Sequence, residues 1–233
     1  MARSGKKTGQ GAAGPERPLF IFPAWADRFG ATLFAVSMLG VAFASFVAVY
    51  YLAPQTLNVN YQPVQPVKYS HKQHSGDLGM DCRYCHNTVE RAAHAAVPPT
   101  QTCMNCHEAM NPDSDQLLLV RESNATGLPV PWVRIHKLSE FAYFDHSAHV
   151  TRGIGCVSCH GRIDKMEAVY QEETLRMKFC TDCHRRPELR LRPMDKITAM
   201  DWTPPGGDQL ALGMKLKKEY GIDPSLECST CHR

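Results

Sequence analysis

Ten cysteines occur in this 233-residue sequence, and every one falls into the same short pattern. Cys82-Arg-Tyr-Cys85-His86, Cys103-Met-Asn-Cys106-His107, Cys156-Val-Ser-Cys159-His160, Cys180-Thr-Asp-Cys183-His184 and Cys228-Ser-Thr-Cys231-His232 each offer two thiols and an imidazole directly after the second. That is the attachment signature of c-type haem. The thiols add to the two haem vinyl groups, and the two-residue spacer fits the distance between them. The adjacent imidazole reaches the iron as proximal ligand, while the second ligand and the burial set the potential. The spacing implies five covalently attached haems, with His86, His107, His160, His184 and His232 on their irons.

Three other chemistries use paired cysteines. A structural zinc site with four thiolates has no use for a histidine after every pair. A thioredoxin-like redox site needs one motif, not five. Five disulfides would suit an even count in an oxidising compartment, but would not explain why five of the 11 histidines follow cysteine pairs. Haem attachment accounts for all the residues at once.

The remaining histidines are His71, His74, His94, His136, His146 and His149. Six candidates face five sixth positions, so mostly bis-histidine iron is predicted. Such iron has no open position, which suits electron transfer and not substrate binding. Met166, Met177 and Met200 are further candidates, since a methionine ligand raises the potential. Each methionine could equally pack against a porphyrin face, and His136 could hydrogen-bond a haem propionate.

An internal repeat organises these residues. Tyr69-Ser70-His71-Lys72-Gln73-His74 matches Phe144-Asp145-His146-Ser147-Ala148-His149 at an offset of 75, and the next two cysteine motifs recur at offsets of 74 and 77. Each unit is an aromatic residue, His-x-x-His, a haem motif, 16 or 19 residues, and a second haem motif. The fifth motif stands outside the repeat. Frequent Gly and Pro between motifs predict loops, with short helices on some motifs and another over Gln209–Tyr220. The fold predicted is mostly irregular with short α-helices, stapled by its haems.

One apolar element must position all this. Residues 29–52 form a run of 24 without a charged side chain, which as a helix would be about 36 Å long and could cross a bilayer. Trp25 precedes it and Tyr50 and Tyr51 close it, as interfacial anchors do. A cleaved signal peptide would have a shorter apolar core near the N-terminus, and a soluble core helix would keep a polar face. Arg3, Lys6, Lys7, Arg17 and Arg28 precede the run against Glu16 and Asp27. The N-terminus is therefore expected in the cytoplasm and the haem domain in the periplasm, as a single-pass protein of a bacterial inner membrane. Residues 1–20 read as a disordered tail, residues 1–28 as the cytoplasmic basic segment, and residues 53–67 as a Pro-rich spacer before a haem domain over 68–233. A net charge of +3 gives no nucleic-acid footprint.

The His-x-x-His pairs resemble those of class III, cytochrome c3/c7-like multihaem proteins, in which the first His ligates the following haem and the second a more distant one. That resemblance implies His71 for the haem on Cys82/Cys85 and His146 for that on Cys156/Cys159. His94, lying between the first two motifs, looks like the ligand of the haem on Cys103/Cys106, and His149 would then reach the haem on Cys228/Cys231. The haem on Cys180/Cys183 is left to Met166, Met177, Met200, His74 or His136.

More specifically, AAHAAVPPTQTCMNCHEAM, FDHSAHVTRGIGCVSCHGRIDKMEAVYQ and MDWTPP, in this order behind an anchor helix, resemble the pentahaem cytochrome c subunit of bacterial alternative complex III. The resemblance covers residues 30–233. It implies an electron-transfer subunit, not itself an enzyme, of a quinol-oxidising respiratory complex. Its partners would be an iron–sulfur subunit, polytopic quinol-binding subunits and a monohaem cytochrome c on the way to a terminal oxidase. The insert over residues 108–138, with LLLV and LPVPW, is a candidate docking surface. A stand-alone multihaem quinol dehydrogenase also has one N-terminal helix, but tends to begin its first motif nearer the membrane than the 29 residues between Leu52 and Cys82. A multihaem reductase needs an open iron, often with a lysine ligand, and all five motifs end in His.

Overall fold

The computed structural model of the protein describes residues 22–52 and 58–233. The basic tail, with Arg3, Lys6, Lys7 and Arg17, and residues 53–57 of the spacer lie outside the described residues. The chain divides into two units, Met1–Tyr51 and Leu52–Arg233.

Helix α1 runs Ala24–Val47 and widens into a π-helical turn at Ala48–Leu52. It starts five residues before the uncharged run because helix geometry, unlike hydropathy, tolerates Asp27 in its first turn, where a carboxylate meets the positive end of the helix dipole. Pro23, which has no N–H to leave unpaired, sits immediately before it. Trp25 packs edge-on against Phe29 at one end and Phe46 against Tyr50 at the other. None of the helix's side chains is buried, and its length and composition suffice to cross a membrane.

The second unit contains, among its described residues, no β-strand, only isolated bridges joining Ala142 to His232 and Ile154 to Leu191. Its helices are short: α2 (Cys82–Cys85), α3 (Thr100–His107), α4 (Leu118–Thr126), α5 (His146–Val150), α6 (Val157–His160), α7 (Met177–Arg185), α8 (Gln209–Glu219) and α9 (Cys228–Cys231). Aspartates start three of them. The carboxylates of Asp81, Asp145 and Asp208 accept from the otherwise unpaired N–H groups of Arg83, of Ser147 and Ala148, and of Ala211. Helix α4 ends at Gly127, whose φ of 73° is the left-handed cap that glycine adopts without strain.

Apolar packing is divided into small clusters. Val67, Met104, Val120 and Val130 form one around Cys103, and Val89, Val150 and Ile197 form another around Cys156. Leu191 is the one large side chain wholly excluded from solvent among the described residues. Helix α8 lies on the turn Pro187–Leu189. There Gln209 donates to the carbonyls of Glu188 and Leu191 (3.1 and 2.8 Å), and Gly213 lets the Glu188 carbonyl approach its backbone.

Candidate haem-attachment and iron-ligand sites

Each cysteine motif is one helical turn. His86 N donates to Cys82 O at 2.8 Å, His160 N to Cys156 O at 3.0 Å and His232 N to Cys228 O at 2.9 Å, while the second and fourth motifs lie within α3 and α7. One turn puts residues three and four apart on the same face. Both thiols and the imidazole therefore present together, as attachment to one porphyrin requires. None of the ten cysteines is in a disulfide. Among the described residues no three Cys, His, Asp or Glu side chains converge as a metal-ion ligand set.

The histidines test whether iron fits between them. A metal–imidazole bond is about 2.0–2.1 Å, so two such bonds across a shared metal put the ring centres roughly 6 Å apart. The rings of His146 and His160 lie 6.3 Å apart with planes 8° from parallel. Those of His149 and His184 lie 6.2 Å apart, and those of His74 and His107 6.1 Å apart. Burial first, then the charges of His86 and His74, lowers His71 to about 4. Its Nδ1 is buried without a hydrogen-bond partner, unlike the tethered Nδ1 atoms of His74, His146 and His149.

The other ring nitrogens are tied down in a consistent way. Nδ1 of His86 donates to Ala96 O (2.7 Å), of His107 to Met110 O (3.1 Å), of His184 to Ser225 O (2.7 Å) and of His232 to Phe141 O (3.2 Å). Nδ1 of His74, His146 and His149 donates to the carbonyls of Ser70, Ala93 and Asp145 at 2.7–2.8 Å. A proton held on Nδ1 leaves the Nε2 lone pair free, which is the state a metal-ligating histidine needs. Burial also pushes His160 down to about 3, keeping that ring neutral. The residues present fit haem.

The aromatic residue of the repeat is the wedge between the two histidines that follow it. Tyr69 meets His71 edge-on at 4.8 Å and stacks on His74 at 4.5 Å. Phe144 treats His146 and His149 the same way, at 4.8 and 4.5 Å. Neighbouring histidines are thereby aimed at different partners.

Several residues stand elsewhere than the sequence suggests. His149 faces His184, where the family resemblance implies the fifth motif. His74, not His94, lies against His107, and His94 is exposed. Met166 is buried, Met177 is 67% exposed, and Met200 is half-buried. His136 sits edge-on to His160 with centres only 4.4 Å apart, too close for a metal between them.

Contacts string the motifs in an order that differs from the sequence. Asn105 in the second motif donates to the Tyr84 hydroxyl in the first (3.2 Å). Thr198 donates to Asp81, which caps the first motif, while Ile197 O accepts from Cys156 N in the third. The Cys82 and Cys156 thiols interact, which lowers Cys82 and raises Cys156. Arg190 donates to Ser158 O in the third motif and lies over the Phe179 ring of α7, which carries the fourth. His184 of the fourth reaches Ser225, just before the fifth. The neighbours thus run second, first, third, fourth, fifth.

Residues 67–124 and 142–233 match the family described as cytochrome c7 and related cytochrome c. The chain is also similar to the menaquinone reductase multihaem cytochrome c subunit of Nitratidesulfovibrio vulgaris (strain Hildenborough). The two are 29% identical over 144 residues, which are 53% of this chain and 69% of that protein.

Proposed function

We propose that this chain, which belongs to the family of cytochrome c7 and related cytochromes c, is a pentahaem electron relay held at a bacterial inner membrane by α1. The observation that carries the reading is the set of opposed histidine rings about 6 Å apart with their Nδ1 atoms tethered. Cys82/Cys85, Cys103/Cys106, Cys156/Cys159, Cys180/Cys183 and Cys228/Cys231 hold the porphyrins. His71 with His86, His74 with His107, His146 with His160 and His149 with His184 would supply the ligands of four irons, and His232 would ligate the fifth. When bound, haem c supplies a one-electron ferric/ferrous couple whose potential is set by axial ligands, hydrogen bonds and burial. The chain itself binds, orients and spaces the haems.

The finer reading is a subunit of a quinol-oxidising complex of the alternative complex III type, passing electrons to a cytochrome c or a terminal oxidase. Its partners would be iron–sulfur and polytopic quinol-binding subunits, with the N-terminus cytoplasmic and the haem domain periplasmic. A second reading, with electrons passing toward quinone, is favoured by the similarity to a menaquinone reductase subunit. Purified full-length protein should carry five haems by mass, and the four sites with paired histidines should be low-spin by electron paramagnetic resonance (EPR) and leave CO unbound when reduced. In native membranes, reduction of its haems by added menaquinol supports the first direction. Oxidation of its reduced haems by added menaquinone supports the second. A full-occupancy, CO-binding haem at any of the four sites with paired histidines would sink the relay reading.

A further inference from the structure

We propose that His136 is a positioning residue for the third site, accepting on its Nε2 the Nδ1 proton of His160 and so orienting that ring and strengthening it as a ligand opposite His146. This rests on the reading that His160 ligates iron.

His160 differs from the other four motif histidines in one respect. Their Nδ1 atoms donate to backbone carbonyls, whereas Nδ1 of His160 lies 3.3 Å from Nε2 of His136. With Nε2 of His160 committed to iron, Nδ1 carries the proton, so Nε2 of His136 is the acceptor. The near-perpendicular rings, 83° apart with centres at 4.4 Å, suit such an edge contact and exclude a metal between the two. His136 is half-buried, and Arg134 fixes its backbone by donating to its carbonyl at 3.1 Å. It also lies between the two stretches that match the family, within residues 125–141.

An acceptor on the outer nitrogen of a metal-bound imidazole holds the ring plane and raises its basicity, and loss of such a partner commonly costs tenfold or more. A more basic axial ligand favours ferric iron. Removing the acceptor should therefore raise the potential of this one haem. The 3.3 Å separation is long for a hydrogen bond, which places the effect at the lower end.

The test is a redox titration of the full-length holoprotein followed by EPR. In His136→Phe, one midpoint should rise by a factor of roughly ten in favour of ferrous iron, about 59 mV for a one-electron couple. Its low-spin lines should move while the other four stay. His136→Gln, whose side-chain carbonyl can accept, should restore most of the shift. Five unmoved midpoints and unmoved lines in a fully loaded His136→Phe protein would overturn the proposal. So would a new high-spin, CO-binding haem, since His136 would then be an iron ligand. If His136→Phe does not load, the unaltered protein decides. Fully reduced and labelled with 15N-histidine, it should show nitrogen–nitrogen coupling across the His160–His136 bond, and its absence counts against the proposal. Fewer than five haems, or a high-spin third site, in unaltered protein would instead count against the reading of the site.

Discussion

The rings of His146 and His160 face each other 6.3 Å apart and only 8° from parallel, whereas those of His74 and His107 are turned by 60°. Parallel imidazoles donate into the same iron d orbital and split the d levels strongly, while crossed rings split them weakly. The EPR spectrum should accordingly contain a rhombic low-spin species from the third site and a more axial one, with larger g anisotropy, from the second. Five identical species would contradict the ring geometry.

His149 opposes His184, so the fourth site should depend on it. We expect His149→Ala to convert one low-spin haem into a high-spin, CO-binding one. Met166→Ala, Met177→Ala and Met200→Ala should leave the spin state alone. A sulfur-to-iron charge-transfer band that vanishes in one of the methionine variants would place a methionine on that iron instead.

A parallel comparison applies to the second site. His74→Ala should open one iron to CO, while His94→Ala, at an exposed position, should not open the iron on Cys103/Cys106. The opposite result would restore the pairing suggested by sequence order.

The carboxyl of Asp81 is held down to about 2, first by its hydrogen bond with the Arg83 guanidinium and then by Arg83 N and the Thr198 hydroxyl. A depressed carboxyl stabilises the fold above its unfolded value of about 3.9, and that contribution is lost as the pH falls from about 4 toward 2. Thermal unfolding should show Asp81→Ala less stable by about 1 kcal/mol at neutral pH, the usual worth of a helix cap. The deficit should shrink below pH 4. The group is 43% exposed, so solvent screening keeps the effect small. An equal deficit at pH 2.5 would show that the charge contributes nothing.

A side chain at Gly213 would overlap the Glu188 carbonyl. Gly213→Ala should destabilise the haem domain by about 1–3 kcal/mol, the usual cost of overpacking, even though alanine favours helix over glycine. An unchanged melting temperature would mean that α8 can shift away from Pro187–Leu189 at no cost.

Local chemistry made the candidate attachment sites legible. Two thiols and an imidazole within five residues need only one helical turn to act together, so sequence spacing alone picks out Cys82, Cys85, His86 and their four counterparts. The apolar run before the haem domain is legible for the same reason, and so is α8, although its end at Glu219 falls one residue short of the reading. The sparse, strand-free helical architecture also followed from the Gly- and Pro-rich spacing. Distal partners are a different problem. His71 caps the π-helical turn Lys72–Asp77 that carries His74, and His146 and His149 share α5, yet Tyr69 and Phe144 wedge each pair toward separate partners. Which proximal ring each meets depends on long-range packing that a repeat offset does not encode. Sequence therefore determined what the chain attaches. The tertiary structure decided which histidines face each other, why His136 stands behind His160, and that the first motif lies between the second and the third.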